Sequence, residues 1–132
     1  MRDQDPVRSL KEFRNGLLKH HKTLLDSERA LYEHDIARIP SAGRYLELVL
    51  NDPWFTWLRE LSGLIVLIDE AVVGDVPPTP EEAERFINQG RALLVPAENG
   101  SGFAKEYFKL LQRDPNVVMA HSDMMKTLAS VA

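Results

Sequence analysis

The sequence predicts an all-α protein, a single-domain helical bundle of four long helical segments, two of them broken at Asp-Pro. Apolar residues recur at the i, i+3, i+4, i+7 spacing of an α-helix, and no segment alternates as a strand would. A capping residue precedes proline four times, at Asp5-Pro6, Asp52-Pro53, Thr79-Pro80 and Asp114-Pro115. Because proline is favoured in the first turn of a helix, these four pairs predict four helix starts.

The first half of the chain is predicted to form three helices. The first covers about 7–36 and ends at the breaker residues 40–43. A short helix over about 42–50 leads to a central helix over about 53–73, which begins with both tryptophans of the chain. Two prolines within 74–78 end the central helix, because proline cannot continue one.

The second half is predicted to form three more helices. The first covers about 80–94, and its start is the clearest in the chain, because Thr79 and Glu82 have the spacing of a capping box. A flexible loop over 96–102 separates it from a helix over about 103–113. The last helix begins at Pro115.

Composition restricts the class of protein. The chain has 132 residues, 44% of them apolar and 27% charged, which is typical of one globular domain. It has no cysteine, which excludes disulfides, thiolate zinc sites and cysteine nucleophiles. Residues 1–6 lack an apolar core, so we expect a flexible N-terminus rather than a secretory signal. The longest apolar run, Leu64–Ile68, is far short of the roughly 20 residues of a membrane span. We therefore expect a cytoplasmic protein with no membrane association.

Charge argues against a nucleic-acid partner. The net charge is −4, and residues 51–100 hold three Lys and Arg against nine Asp and Glu. A nucleic-acid surface normally needs a clustered excess of basic residues. Nucleic-acid binding through basic side chains of the first helix is a weaker hypothesis. These side chains are Lys11, Arg14, Lys19 and Lys22.

Polar residues that interrupt apolar stripes are the candidate ligand-binding residues. They are His21 and Glu28 on the first helix, Asp69 on the central helix and His121 on the last. His20 points about 100° away from His21 and is expected on a solvated face. No histidine follows a glutamate by three residues, the spacing of bundle metal sites, so we predict neither a metal nor another cofactor.

No catalytic residue is predicted. The chain has no Gly-x-Ser-x-Gly elbow and no phosphate-binding loop of the nucleotide type. The sequence therefore favours a non-enzymatic protein, although catalytic groups on separate helices would leave no local motif.

Large side chains on two helices are candidates for an interface. Trp54, Phe55 and Trp57 cannot all share one helical face, and tryptophan is enriched at interfaces. Met124 and Met125 raise the same possibility for the last helix, because methionine adapts to many partners. Burial of all five between helices is the alternative.

Segments 18–29, 52–59 and 64–70, followed by 113–118, resemble a group of small uncharacterised bacterial helical proteins. The resemblance implies a bacterial, cytoplasmic, all-helical protein, and it implies no activity for any residue.

Two hypotheses about function follow. The first is a non-enzymatic protein-interaction or oligomerisation module that forms a homodimer or binds a protein partner. The alternative is a ligand- or metal-binding bundle with an interior cluster of histidines and carboxylates.

Overall fold

Seven α-helices make up the regular structure of residues 5–131, the part of the chain that the computed structural model describes. They are α1 (Pro6–Asp35), α2 (Ala42–Asn51), α3 (Pro53–Thr56), α4 (Arg59–Val73), α5 (Pro80–Leu93), α6 (Phe103–Arg113) and α7 (Pro115–Val131). This range contains no strand, so the all-α prediction is confirmed. None of its helices is both long enough and apolar enough to cross a membrane.

Local capping signals set most helix starts. Asp5 accepts a hydrogen bond from the Val7 backbone N–H at 2.9 Å, and Pro6 begins α1. The flexible N-terminus expected over residues 1–6 stays a prediction, and residues 1–4 lie outside the described part. The capping box of α5 is confirmed, with both reciprocal hydrogen bonds between Thr79 and Glu82 present.

Helix α1 packs against several other helices. It spans 30 residues and packs against α3, α4, α5 and α7. Helix α7 runs antiparallel to it, since Glu12 lies beside Ser130, whereas Gly16, one turn later in α1, lies beside Thr127, about one turn earlier in α7. A Cβ added at Gly16 would lie 3.2 Å from the Thr127 side chain, so α7 packs closely there.

The predicted continuous helix over 53–73 is wrong, because two helices, α3 and α4, meet at Trp57 and Leu58. The Leu58 N–H donates to the Phe55 carbonyl at 3.1 Å, an i to i+3 hydrogen bond that tightens the chain. In such a tighter turn, side chains three residues apart point the same way. Trp54 and Trp57 are three residues apart, and both indoles point toward Glu28 of α1.

Gly90 allows α5 to pack against α1. A Cβ at this position would lie 2.4 Å from Cζ of Phe13, whose ring is fully buried. Because the ring lies within a packed core, it has little room to move away.

We expect Gly90→Ala to lower the free energy of unfolding by about 1–3 kcal/mol, the usual cost of overpacking a core. The measurement is urea unfolding followed by tryptophan fluorescence. Gly43→Ala in α2 is the control, because its added Cβ would meet only Ser41 Oγ, at 4.0 Å. Equal stability of the two variants would contradict the prediction.

Candidate functional site

A buried hydrogen-bonded chain joins three helices. Nε2 of His20 on α1 lies 2.8 Å from the hydroxyl of Tyr107 on α6, and this hydroxyl lies 2.6 Å from Nδ1 of His121 on α7. His20 is 2% exposed, Tyr107 is fully buried and His121 is partly exposed. One phenol therefore connects the buried His20 of α1 with the partly exposed His121 of α7.

The single proton of Tyr107 links the two imidazoles. The hydroxyl can donate to only one of them, so the other imidazole must donate to the hydroxyl oxygen. If Tyr107 donates to His121, then Nε2–H of His20 donates to Tyr107. Nδ1 of His20 then carries a lone pair and can accept a hydrogen bond. In either arrangement Nδ1 of His20 is buried without a hydrogen-bond partner among residues 5–131.

Burial keeps these groups uncharged at neutral pH. It lowers the pKa of His20 from 6.5 to about 4, helped by the nearby imidazoles of His121 and His21. It also lowers the pKa of His121 and raises the pKa of Tyr107 well above its usual value. His20 is therefore a neutral hydrogen-bonding group and not a cation.

The prediction that His20 lies on a solvated face is wrong, and His21 is only partly buried. His20 follows Leu17 by three residues and precedes Leu24 by four, so it belongs to the buried stripe of α1. The spacing of His21 fits the same stripe nearly as well. His20 packs against Tyr107 of α6, so which flank of the stripe is covered depends on the placement of another helix, which the sequence of α1 does not reveal.

An open groove of about 560 Å³ lies between α1 and α7, and His20 is one of its lining residues. Pockets for small ligands usually measure roughly 300–1,000 Å³, so this groove is large enough to hold one. Its apolar walls include Met119, Ala120 and Met124. Besides His20, its ionisable lining consists of three carboxylates and one lysine: Asp26, Asp114, Asp123 and Lys19.

A second polar cluster surrounds Glu28, which is 7% exposed. Its carboxylate accepts hydrogen bonds from Nε1 of Trp57 at 2.8 Å and from Nη2 of Arg113 at 2.9 Å. Its backbone carbonyl accepts from Nε1 of Trp54 at 3.1 Å. Burial raises the pKa of Glu28, although Trp57 and Arg113 lower it. These bonds hold α3, the turn before α4 and the end of α6 against α1.

Three of the four predicted ligand-binding residues take part in separate interactions, and the fourth, His21, is partly buried on α1. Glu28 binds Trp57 and Arg113, and His121 binds Tyr107. Asp69 is paired with Arg14 at 3.1 Å. Within residues 5–131, no group of three or more histidines and carboxylates is arranged to hold a metal ion. None of the four lines the groove. His20, which the predicted set lacks, does line it, and it is hydrogen-bonded to Tyr107, which the set also lacks.

The predicted interface residues lie mostly within the protein. Phe55 is 1% exposed and Met124 is 2% exposed, so neither side chain is available to a partner. Trp54, Trp57 and Met125 are partly buried, and both indole N–H groups are bonded to Glu28. An interface role for these three stays a prediction.

Comparisons of the chain with family models, with curated proteins and with solved structures gave no match.

The low pKa of His20 makes stability depend on pH. The unfolded chain binds a proton at His20 near pH 6.5, whereas the folded protein binds it only near pH 4. Acid therefore favours unfolding, and we expect this residue to remove about 3 kcal/mol of stability as the pH falls through that window. Urea unfolding at a series of pH values measures the effect.

The matched variant is His20→Gln, which removes the titrating group and keeps a polar side chain. Its stability should fall less steeply than that of the parent between pH 6.5 and pH 5. A parallel decline in parent and variant would show that His20 is not the cause.

Removal of the cation beside Glu28 should destabilise the fold. We expect Arg113→Ala to cost about 1–3 kcal/mol, because it leaves a buried carboxylate with one charged partner fewer. Lys109→Ala is the control, since Lys109 pairs with Glu106 on the exposed face of the same helix. Exposed pairs contribute roughly 0–1 kcal/mol. Equal unfolding midpoints for the two variants would refute the role given to Arg113.

Proposed function

We propose that this chain is a small-ligand-binding helical protein and that its ligand occupies the groove between α1 and α7. The observation that carries the proposal is the buried Nδ1 of His20, which lacks a partner in a residue that lines the groove. Buried polar atoms in native proteins are almost always hydrogen-bonded. A ligand group that reaches this nitrogen would satisfy it.

The groove favours a ligand that carries an amine. His20 is neutral at pH 7 because its pKa is about 4, so its Nδ1 accepts a hydrogen bond from an N–H when Nε2 donates to Tyr107. Carboxylates outnumber lysine in the lining, which favours a cation over an anion. The apolar walls suit a short hydrocarbon part next to the amine.

Asp123 is the carboxylate best placed to bind an ammonium group. Asp26 is already paired with Lys22 at 2.9 Å, and Asp114 accepts the Asn116 backbone N–H at 2.9 Å. The carboxylate of Asp123 makes no ion pair within residues 5–131. We therefore assign Asp123 as the counter-charge for the ammonium group of the ligand. His20 accepts a hydrogen bond from the same ligand.

Several wider expectations stay part of this proposal. The expected lack of a nucleic-acid partner is supported by the pairing of two basic side chains of α1, since Arg14 binds Asp69 and Lys22 binds Asp26. A bacterial source and a cytoplasmic location remain expectations from the sequence. The grouping of the seven helices into four longer segments broken at Asp-Pro also stays a proposal. So do the absence of a cofactor and of catalytic activity.

Titration with n-butylamine, monitored by ¹H–¹⁵N NMR, tests the proposal, with n-butyrate as a probe of similar size and opposite charge. We expect n-butylamine to shift amide signals of α1 and α7 along the groove, and n-butyrate to shift them much less. Asp123→Asn should weaken n-butylamine binding about tenfold, since a hydrogen bond to a charged group contributes roughly 1.5–3 kcal/mol.

Two control variants separate the groove from general effects of charge. Asp75→Asn removes the same charge from an exposed residue between α4 and α5 and should leave binding unchanged. Ala30→Leu places bulk in the groove lining without removing a buried polar group and should block binding. Equal binding of the amine and the carboxylate, or shifts confined to other helices, would overturn the proposal.

A further inference from the structure

The outward face of α4 carries apolar side chains that the rest of residues 5–131 leaves uncovered. Val66 is 53% exposed, Leu67 is 48% exposed and Val73 is 76% exposed. Gly63 lies on the same face, and a Cβ added there would meet nothing within 4 Å. Contiguous exposed apolar side chains on a helix are typical of a surface that binds another protein.

The charges at the two ends of this face have opposite sign. Arg59 lies near the start of α4 and Glu70 near its end, and both are exposed. Glu70 has no ion pair within the described chain. Arg59 donates from Nη2 to the Leu50 carbonyl at 2.7 Å, which leaves its other nitrogens free to bind a carboxylate.

We propose that α4 packs antiparallel against α4 of a second copy of this chain, with Arg59 opposite Glu70 of the partner subunit. In a two-fold antiparallel pair the register is the same for both copies, so Glu70 then faces Arg59 of the partner subunit. The two-fold axis lies level with residues 64 and 65. One face with opposite charges at its ends is therefore complementary to itself.

The same register places Gly63 opposite Val66 of the partner subunit. The open space at Gly63 accepts the valine side chain, and the two helices approach closely at both symmetry-related positions. Small residues allow this close approach between helices, since they leave a hole for the facing side chain. Leu50 of α2, whose carbonyl is bonded to Arg59, is also 54% exposed.

Sedimentation velocity over a wide range of protein concentration tests this pairing. We expect a reversible dimer. Arg59→Glu and Glu70→Arg should each weaken it about tenfold, because each places like charges opposite each other twice per dimer. The double variant restores opposite charges and should regain the parent's dimer affinity.

Lys126→Glu is the control, because it makes the same charge change on the exposed surface of α7. It should dimerise as the parent does. Glu70→Arg does not disturb the Arg59 hydrogen bond to Leu50, so loss of the dimer in this variant does not result from a local change at α2. A parent that stays monomeric, or a double variant that stays as weak as the single ones, would overturn the pairing.

Discussion

The structure depends on burial of more than one side of α1. A surface amphipathic helix buries one apolar stripe, but α1 packs against four other helices, so polar residues within and beside its stripe also become enclosed. His20 and Glu28 are both at such positions. Each is stabilised by partners from distant segments, because a buried polar group is costly unless it is hydrogen-bonded.

The two polar clusters on α1 differ in what they do for the protein. Every bond to Glu28 comes from a side chain that fixes a neighbouring helix, so this cluster is explained by the fold itself. His20 is bonded on one nitrogen only, and its other nitrogen is buried in a residue that lines a groove. The difference between a fully satisfied and a partly satisfied polar group is the reason for assigning the second location to a ligand.

Local signals in the sequence were sufficient for most of the fold. The starts of α1, α3, α5 and α7 coincide with a cap followed by proline, which acts through the backbone of neighbouring residues only. The break at Trp57 and Leu58 has no such local signal, since it accompanies the contact of both indoles with Glu28. Tertiary contacts therefore set the one helix boundary that was wrong.

The candidate site was harder to predict for the same reason. The spacings of His20 and His21 fit the stripe of α1 almost equally well, and only contacts with other helices, such as that of His20 with Tyr107 of α6, distinguish them. Tyr107 fits the apolar face of α6 as an aromatic core residue, so nothing in its spacing indicates a hydrogen bond to two imidazoles. The exposure of the apolar face of α4 was also not predictable. The sequence shows which residues are apolar but not how many helices will cover them.

One side chain, His20, belongs to the core and to the groove at once. Protonation of its ring would put a positive charge in the groove and replace the acceptor at Nδ1 with a donor. The same event would weaken the packed interior, because the charged ring is buried. Under the proposed function, folding and ligand binding are thermodynamically linked through one proton, and acid releases the amine ligand as it loosens the fold.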